Sequence, residues 1–144
     1  MSYRRGWQAE YRLVQLLRER GFLASRLPRS GKSPYSFDII AVKAVNTIPY
    51  VVLIEVKMRS RPGTIYLERS RAKSLIKLAL QAAAEPLIAL YIKRHRRWYI
   101  RPVDSRDKDT GKYFVYKFNN IWRPLDEYFH LAEFIREAWT IRRW

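Results

Sequence analysis

Residues 50–58 read Tyr50-Val51-Val52-Leu53-Ile54-Glu55-Val56-Lys57-Met58, and this stretch decides the fold. Apolar residues occupy both alternating faces: Val52, Ile54, Val56 and Met58 on one, Val51 and Leu53 on the other. A strand apolar on both faces belongs in the middle of a sheet that is covered on both sides. On the second face, however, the apolar residues give way to Glu55 and Lys57. A central strand that turns polar on one face at its end delivers side chains to a site.

Working outward, residues 37–42 read as the preceding strand, with Asp38 inside it, and residues 22–26 as another. Between them lies a basic loop rich in Ser, Gly and Pro, without periodicity. Residues 4 to about 20 read as a helix whose stripe is Leu13, Val14 and Leu17, stopped by Gly21. Downstream, an extended stretch at 65–67 leads into a second helix over 69–84, with Ala72, Leu75, Ile76, Ala79 and Ala83 at helical spacing and Pro86 ending it. Residues 87–93 and 98–102 read as an antiparallel pair around a basic turn, and Asp109-Thr110-Gly111 as a turn before a strand at 113–118. A last helix over about 125–138 is expected to turn Tyr128, Phe129, Ala132 and Ile135 inward. The expected class is α/β, a central mixed sheet of five strands or so flanked by helices. At 144 residues it makes one domain, with a core over 3–102 and a C-terminal hairpin and helix over 103–144.

Asp38, Glu55 and Lys57 fall on successive strands, and the spacing Glu-x-Lys sends both side chains off one sheet face. Two carboxylates brought together repel, raising the pKa of one, unless a cation lies between them. The chain has no cysteine and two histidines, so a thiolate or His-built metal centre is excluded and any metal must sit on oxygen. Mg²⁺, with Mn²⁺ as a substitute, suits such a site through one or two carboxylates, water and substrate phosphate. Glu10 lies three, four and seven residues before Leu13, Val14 and Leu17, so the first helix aims a carboxylate inward. It is expected as a third metal carboxylate, directly or through water, because a lone buried carboxylate is costly otherwise. Lys57 would orient or activate the attacking water, and the metal would stabilise charge in an in-line phosphodiester displacement. Glu-x-Lys alone also reads as an exposed cross-face ion pair worth little. Here it coincides with Asp38 in an apolar strand, Glu10 on an apolar helix face and a strongly basic surround.

That surround is measurable. Net charge is +16, and residues 1–102 hold 21 basic against 6 acidic side chains, whereas 103–144 hold 8 against 7. Such a field neutralises phosphates, so nucleic acid is the leading partner, ahead of an anionic membrane or an acidic protein. Arg59, Arg61, Arg69, Arg71 and Lys73 flank the Glu-x-Lys strand end as candidates for a phosphate track. His95 and His130 have no carboxylate placed beside them and read as surface residues rather than general bases. Trp98 and Tyr99 read as members of an ordinary strand pair, with stacking on opened bases the alternative. The N-terminus has no apolar signal core and no apolar run spans a membrane, so a soluble cytoplasmic protein beside the nucleoid is expected.

Tyr3-Arg4-Arg5-Gly6, Ala9-Glu10 and Leu13-Val14 open a longer pattern. It continues through Gly21-Phe22, Arg26, Ser30, Asp38-Ile39-Ile40, Ile54-Glu55-Val56-Lys57, Ile65-Tyr66-Leu67 and Glu85-Pro86-Leu87-Ile88-Ala89. Over roughly residues 3–100 the chain resembles the archaeal Holliday-junction resolvases, nucleases of the PD-(D/E)xK type. The resemblance implies a restriction-endonuclease-like fold, Mg²⁺ dependence, and a homodimer that places paired nicks across a four-way DNA junction. It also implies that Asp38 and Glu55 are metal ligands, Lys57 the catalytic lysine, Glu10 an essential carboxylate near the metal, and Arg26 and Ser30 phosphate contacts. Arg4, Arg5, Arg12, Arg29 and Lys32 complete the expected DNA-binding set. The chain departs from the family at Tyr11, where an arginine is common, and at Phe37, where the wider motif often has Pro. The stretch 43–50 looks lengthened, and beyond residue 102 the resemblance ends. A flap-, end- or duplex-cutting nuclease and a catalytically silent basic nucleic-acid-binding module are the alternatives.

Overall fold

The computed structural model describes residues 3–28 and 35–142, with side chains over 6–28 and 35–139. Helix α1 (Tyr3–Glu19) is followed by β1 (Leu23–Arg26), β2 (Ile39–Val45), β3 (Ile48–Arg59) and β4 (Ile65–Glu68). Then come α2 (Arg69–Gln81), β5 (Glu85–Ile92), β6 (Arg97–Pro102), β7 (Lys108–Asp109), β8 (Tyr113–Tyr116), β9 (Arg123–Pro124) and α3 (Leu125–Arg142). The main sheet has the order β1-β2-β3-β5-β6-β9, six strands where about five are expected, the sixth contributing two residues at the edge. Its one parallel pair is β3 with β5, joined by the crossover through β4 and α2; β4, β8 and β7 form a second, three-stranded sheet.

β3 is central, as its double-faced apolar pattern requires. Val52 and Ile54 meet Leu13, Val14 and Leu17 of α1 together with Leu125 and Phe129 of α3. Leu53 on the other face joins Ala72, Leu75 and Ala79 of α2 and Ile65, Leu67, Phe114 and Tyr116 of the small sheet. Gly21, at φ 94°, closes α1, with the Phe22 N–H donating to the Leu17 carbonyl at 3.0 Å. The stretch that looks lengthened in sequence is a tight hairpin. Val45 pairs with Ile48, and Asn46 and Thr47 between them both take positive φ, 50° and 67°.

Several expectations need correction. Asp38 lies in a bend just before β2, not within the strand. The second helix stops at Gln81; Ala83 is exposed at φ 50° and belongs to the turn that re-enters the sheet, and Pro86 lies inside β5. α3 runs past residue 138; Leu125, Phe129 and Ala132 are buried and Tyr128 is half-buried against the same core, as expected of the last three, whereas Ile135 is 46% exposed. Trp98 is buried against Tyr91, their ring centroids 5.2 Å apart, and Tyr99 packs edge-on to Phe118, both within the antiparallel pair β5–β6, as the strand-pair reading has it. Among the described residues no helix is long and apolar enough to cross a membrane.

Candidate active site

The ladder between β2 and β3 ends at Ile39 opposite Ile54, and β3 runs on alone toward β5. Asp38 sits at that ending. Its N–H donates to the Ile54 carbonyl at 2.9 Å, and its Oδ2 accepts the Val56 N–H at 2.7 Å. The carboxylate is therefore locked to the strand that carries the Glu-x-Lys pair. Glu55 is buried and Lys57 half-buried, opposite Ile88 and Leu90 of β5 on the face that α2 covers.

A third side chain closes the group. Arg71, on the first turn of α2, reaches Glu55 Oε1 with Nη2 at 2.6 Å and Nε at 2.9 Å, and the same Nη2 lies 3.8 Å from Asp38 Oδ1. One cation is thus shared by two carboxylates. Burial pushes the Glu55 carboxyl up to about 7 and the Asp38 charge adds to the rise, while Arg71 and Lys57 oppose it. The cavity in front of the group is about 410 Å³ and also takes in Arg59, Tyr66, Glu68 and Tyr113.

These residues fit a hard divalent cation. The donors are carboxylate oxygens, they already converge on a positive charge, and no thiolate or imidazole lies among the cavity's lining residues. Among the described residues no group of three or more acidic or histidine side chains has metal-binding spacing. A metal here would rest on Asp38 and Glu55, with water and phosphate filling the remaining positions. Glu10 is not brought into that group. It is buried on α1, and its Oε1 accepts from Arg26 Nε at 3.2 Å. Arg26 pairs in register with Ile39, next to Asp38, so the Glu10–Arg26 pair stands at the edge of the site.

The basic candidates divide. Arg59, Arg61 and Lys73 are exposed around the cavity's end of β3 and the start of α2, while Arg69 is held by Asp109 at 3.1 Å. Arg12 lines a separate cavity of about 380 Å³ with Gln8, Met58, Tyr91, Lys93 and Trp98. Arg29, Ser30 and Lys32 lie outside the described residues, as do the side chains of Arg4 and Arg5. His95 and His130 are both exposed, and His95 Nδ1 lies 2.7 Å from the Tyr99 hydroxyl, away from the cavity. What the sequence reading missed is the inward turn of Arg71 and the presence of Glu68, Tyr66 and Tyr113. Glu68 is one of only six acidic residues before residue 103, which was the available signal.

Known proteins are similar to this chain in sequence and in fold. Residues 1–135 match the sequence model of a family described as archaeal Holliday junction resolvase (hjc). The crossover junction endodeoxyribonuclease Hjc of Sulfurisphaera tokodaii is 30% identical over 113 residues, which is 77% of this chain and 75% of that protein. The same enzyme of Sulfolobus acidocaldarius is 28% identical over 111 residues, 76% and 74% of the two chains. The structure of Hjc from Archaeoglobus fulgidus, a Holliday junction resolvase, matches with a TM-score of 0.72 at 28% identity, over 85% of this chain and 98% of that one. D212, a nuclease from a fusselovirus, has a similar fold at a TM-score of 0.56 and 12% identity, over 95% and 96%. With a family match along nearly the whole length, on a sheet whose central strand ends in Glu55 and Lys57, the chain belongs to the archaeal Holliday junction resolvase family.

Proposed function

We propose that this chain, an endodeoxyribonuclease of the Holliday-junction-resolving family, cuts four-way DNA junctions as a homodimer in a Mg²⁺-dependent reaction at Asp38, Glu55 and Lys57. The observation that carries the metal is the convergence of Asp38 and Glu55 on one shared cation, at 3.8 and 2.6 Å. When bound, the ion supplies charge stabilisation for phosphodiester hydrolysis and a more acidic water. The chain's own residues do the rest. Asp38, fixed by the Val56 N–H, and Glu55, fixed on the central strand, would hold the ion beside the scissile phosphate. Lys57 leaves the same face two residues on, and its ammonium orients the attacking water and offsets phosphate charge. Glu10 holds Arg26 beside this edge, where the guanidinium faces the incoming backbone.

The test is cleavage of a labelled immobile four-way junction, with Mg²⁺ and with chelator, beside a linear duplex of the same arms. Symmetric nicks that need both the ion and the junction are expected. Asp38→Asn and Lys57→Ala each lower the rate by about two orders of magnitude or more while junction binding persists. Equal cutting of the linear duplex would leave a nuclease of another substrate, and unchanged activity in Asp38→Asn would remove the metal site.

A further inference from the structure

Arg71 stands where a divalent ion would have to stand. Its Nη2 lies within 2.6 Å of Glu55 Oε1 and 3.8 Å of Asp38 Oδ1, so its positive charge occupies the space between the two carboxylates and competes electrostatically with a second cation there. Its charge faces two neighbouring carboxylates that are both buried. Arg71 nevertheless differs from a buried structural arginine such as Arg101. Its side chain is 41% exposed and rises from the first turn of a helix at the cavity wall, whereas that of Arg101 is fully buried. Rotation about its side-chain torsions takes the guanidinium out of the carboxylate pair without moving α2. Arg59 and Arg71 both line this cavity, so a displaced guanidinium would remain at its wall beside a second arginine.

We infer that Arg71 is an exchangeable counter-ion: it holds Asp38 and Glu55 together before the metal binds, yields its place to the ion, and then contacts the DNA backbone. This rests on the reading of Asp38 and Glu55 as metal ligands. It makes Arg71 a positioning residue, and it predicts competition between a side chain and a metal, which a fixed phosphate contact or a permanent structural ion pair would not show.

The experiment is calorimetric titration of Mn²⁺ into the DNA-free protein, comparing the native chain with Arg71→Gln, Arg71→Lys and Asp38→Asn, alongside melting in chelator and in saturating Mn²⁺. Arg71→Gln is expected to bind Mn²⁺ about tenfold more tightly, since one charge-assisted contact no longer has to be broken, and Arg71→Lys to fall between the two. Arg71→Gln should also melt below the native chain in chelator and recover in Mn²⁺, as the ion replaces the missing charge. Equal or weaker Mn²⁺ affinity in both Arg71 variants overturns the exchange while leaving the metal site intact, provided Asp38→Asn abolishes binding. Native-like Mn²⁺ binding in Asp38→Asn overturns the site and the exchange together.

Discussion

Glu55 makes a pH signature that can be read without DNA. Its folded value of about 7 stands above the ordinary 4.5, with burial as the first cause and Asp38 as the second. A carboxyl with a raised folded value binds its proton more tightly when folded, so the stability it contributes is fully present below pH 4.5 and is lost as pH rises through about 7. In chelator, urea denaturation should therefore show stability falling from pH 5 to pH 7.5. Glu55→Gln should flatten that slope; an unchanged slope would assign the titration to another group. Arg101 is a contrasting residue, fully buried on β6. It donates to Ser105 Oγ at 2.9 Å, the Lys117 carbonyl at 3.0 Å and Asp107 Oδ2 at 3.1 Å, with the Tyr116 and Trp122 rings against it. It ties the segment after β6 back onto the sheet. Arg101→Ala removes these hydrogen bonds and opens a cavity beside Tyr116 and Trp122, and should cost about 2–4 kcal/mol in a chemical denaturation.

At the scale of elements, α3 exposes more large apolar side chains than any other helix among the described residues. Leu131 at 39%, Phe134 at 62%, Ile135 at 46% and Trp139 at 65% exposure form a stripe at helical spacing on the side away from the sheet. The helix lies in the near-neutral third of the chain, so a second copy in the proposed homodimer would meet it without the repulsion that two faces of the basic region would suffer. The double change Phe134→Glu and Trp139→Glu should weaken the dimer by at least about tenfold in sedimentation equilibrium. An undiminished dimer would place the interface on another element. α1 and α2 give their buried apolar stripes to the two faces of the sheet, while Trp7 and Tyr11 stack on the exposed side of α1 and Leu80 is exposed on α2.

For the whole molecule, the net charge of +16 and its concentration before residue 103 set how it meets DNA. Binding to a junction in chelator should weaken steeply with salt, log K falling against log salt with a slope of about −5 or steeper, as expected for roughly six or more phosphates neutralised. A fluorescence titration at four salt concentrations measures it, and a slope near −1 would mean that the basic surface is not the DNA surface.

What was legible in the sequence was whatever depends on local pattern. The double-faced apolar run of β3 named the central strand, the alternation behind Glu55 and Lys57 put both on one face, and the stripe of Leu13, Val14 and Leu17 gave α1 its buried side. Gly21 and Asp109-Thr110-Gly111 marked turns because only a few residues accept such backbone. The hairpin at Asn46-Thr47 escaped because Thr is a weak signal for a position at positive φ, and Ile135 because a helical stripe states which residues are apolar without stating which neighbour covers them. Only the tertiary structure decided that Asp38 is pinned to Val56 from a bend, that Glu10 stands on Arg26 beside the carboxylate pair, and that Arg71 turns inward between the two carboxylates. Those positions depend on the register of β2 against β3 and on the crossover that lays α2 over them, and contacts between residues 16 to 33 apart in the chain leave no periodic trace in the order of the residues themselves.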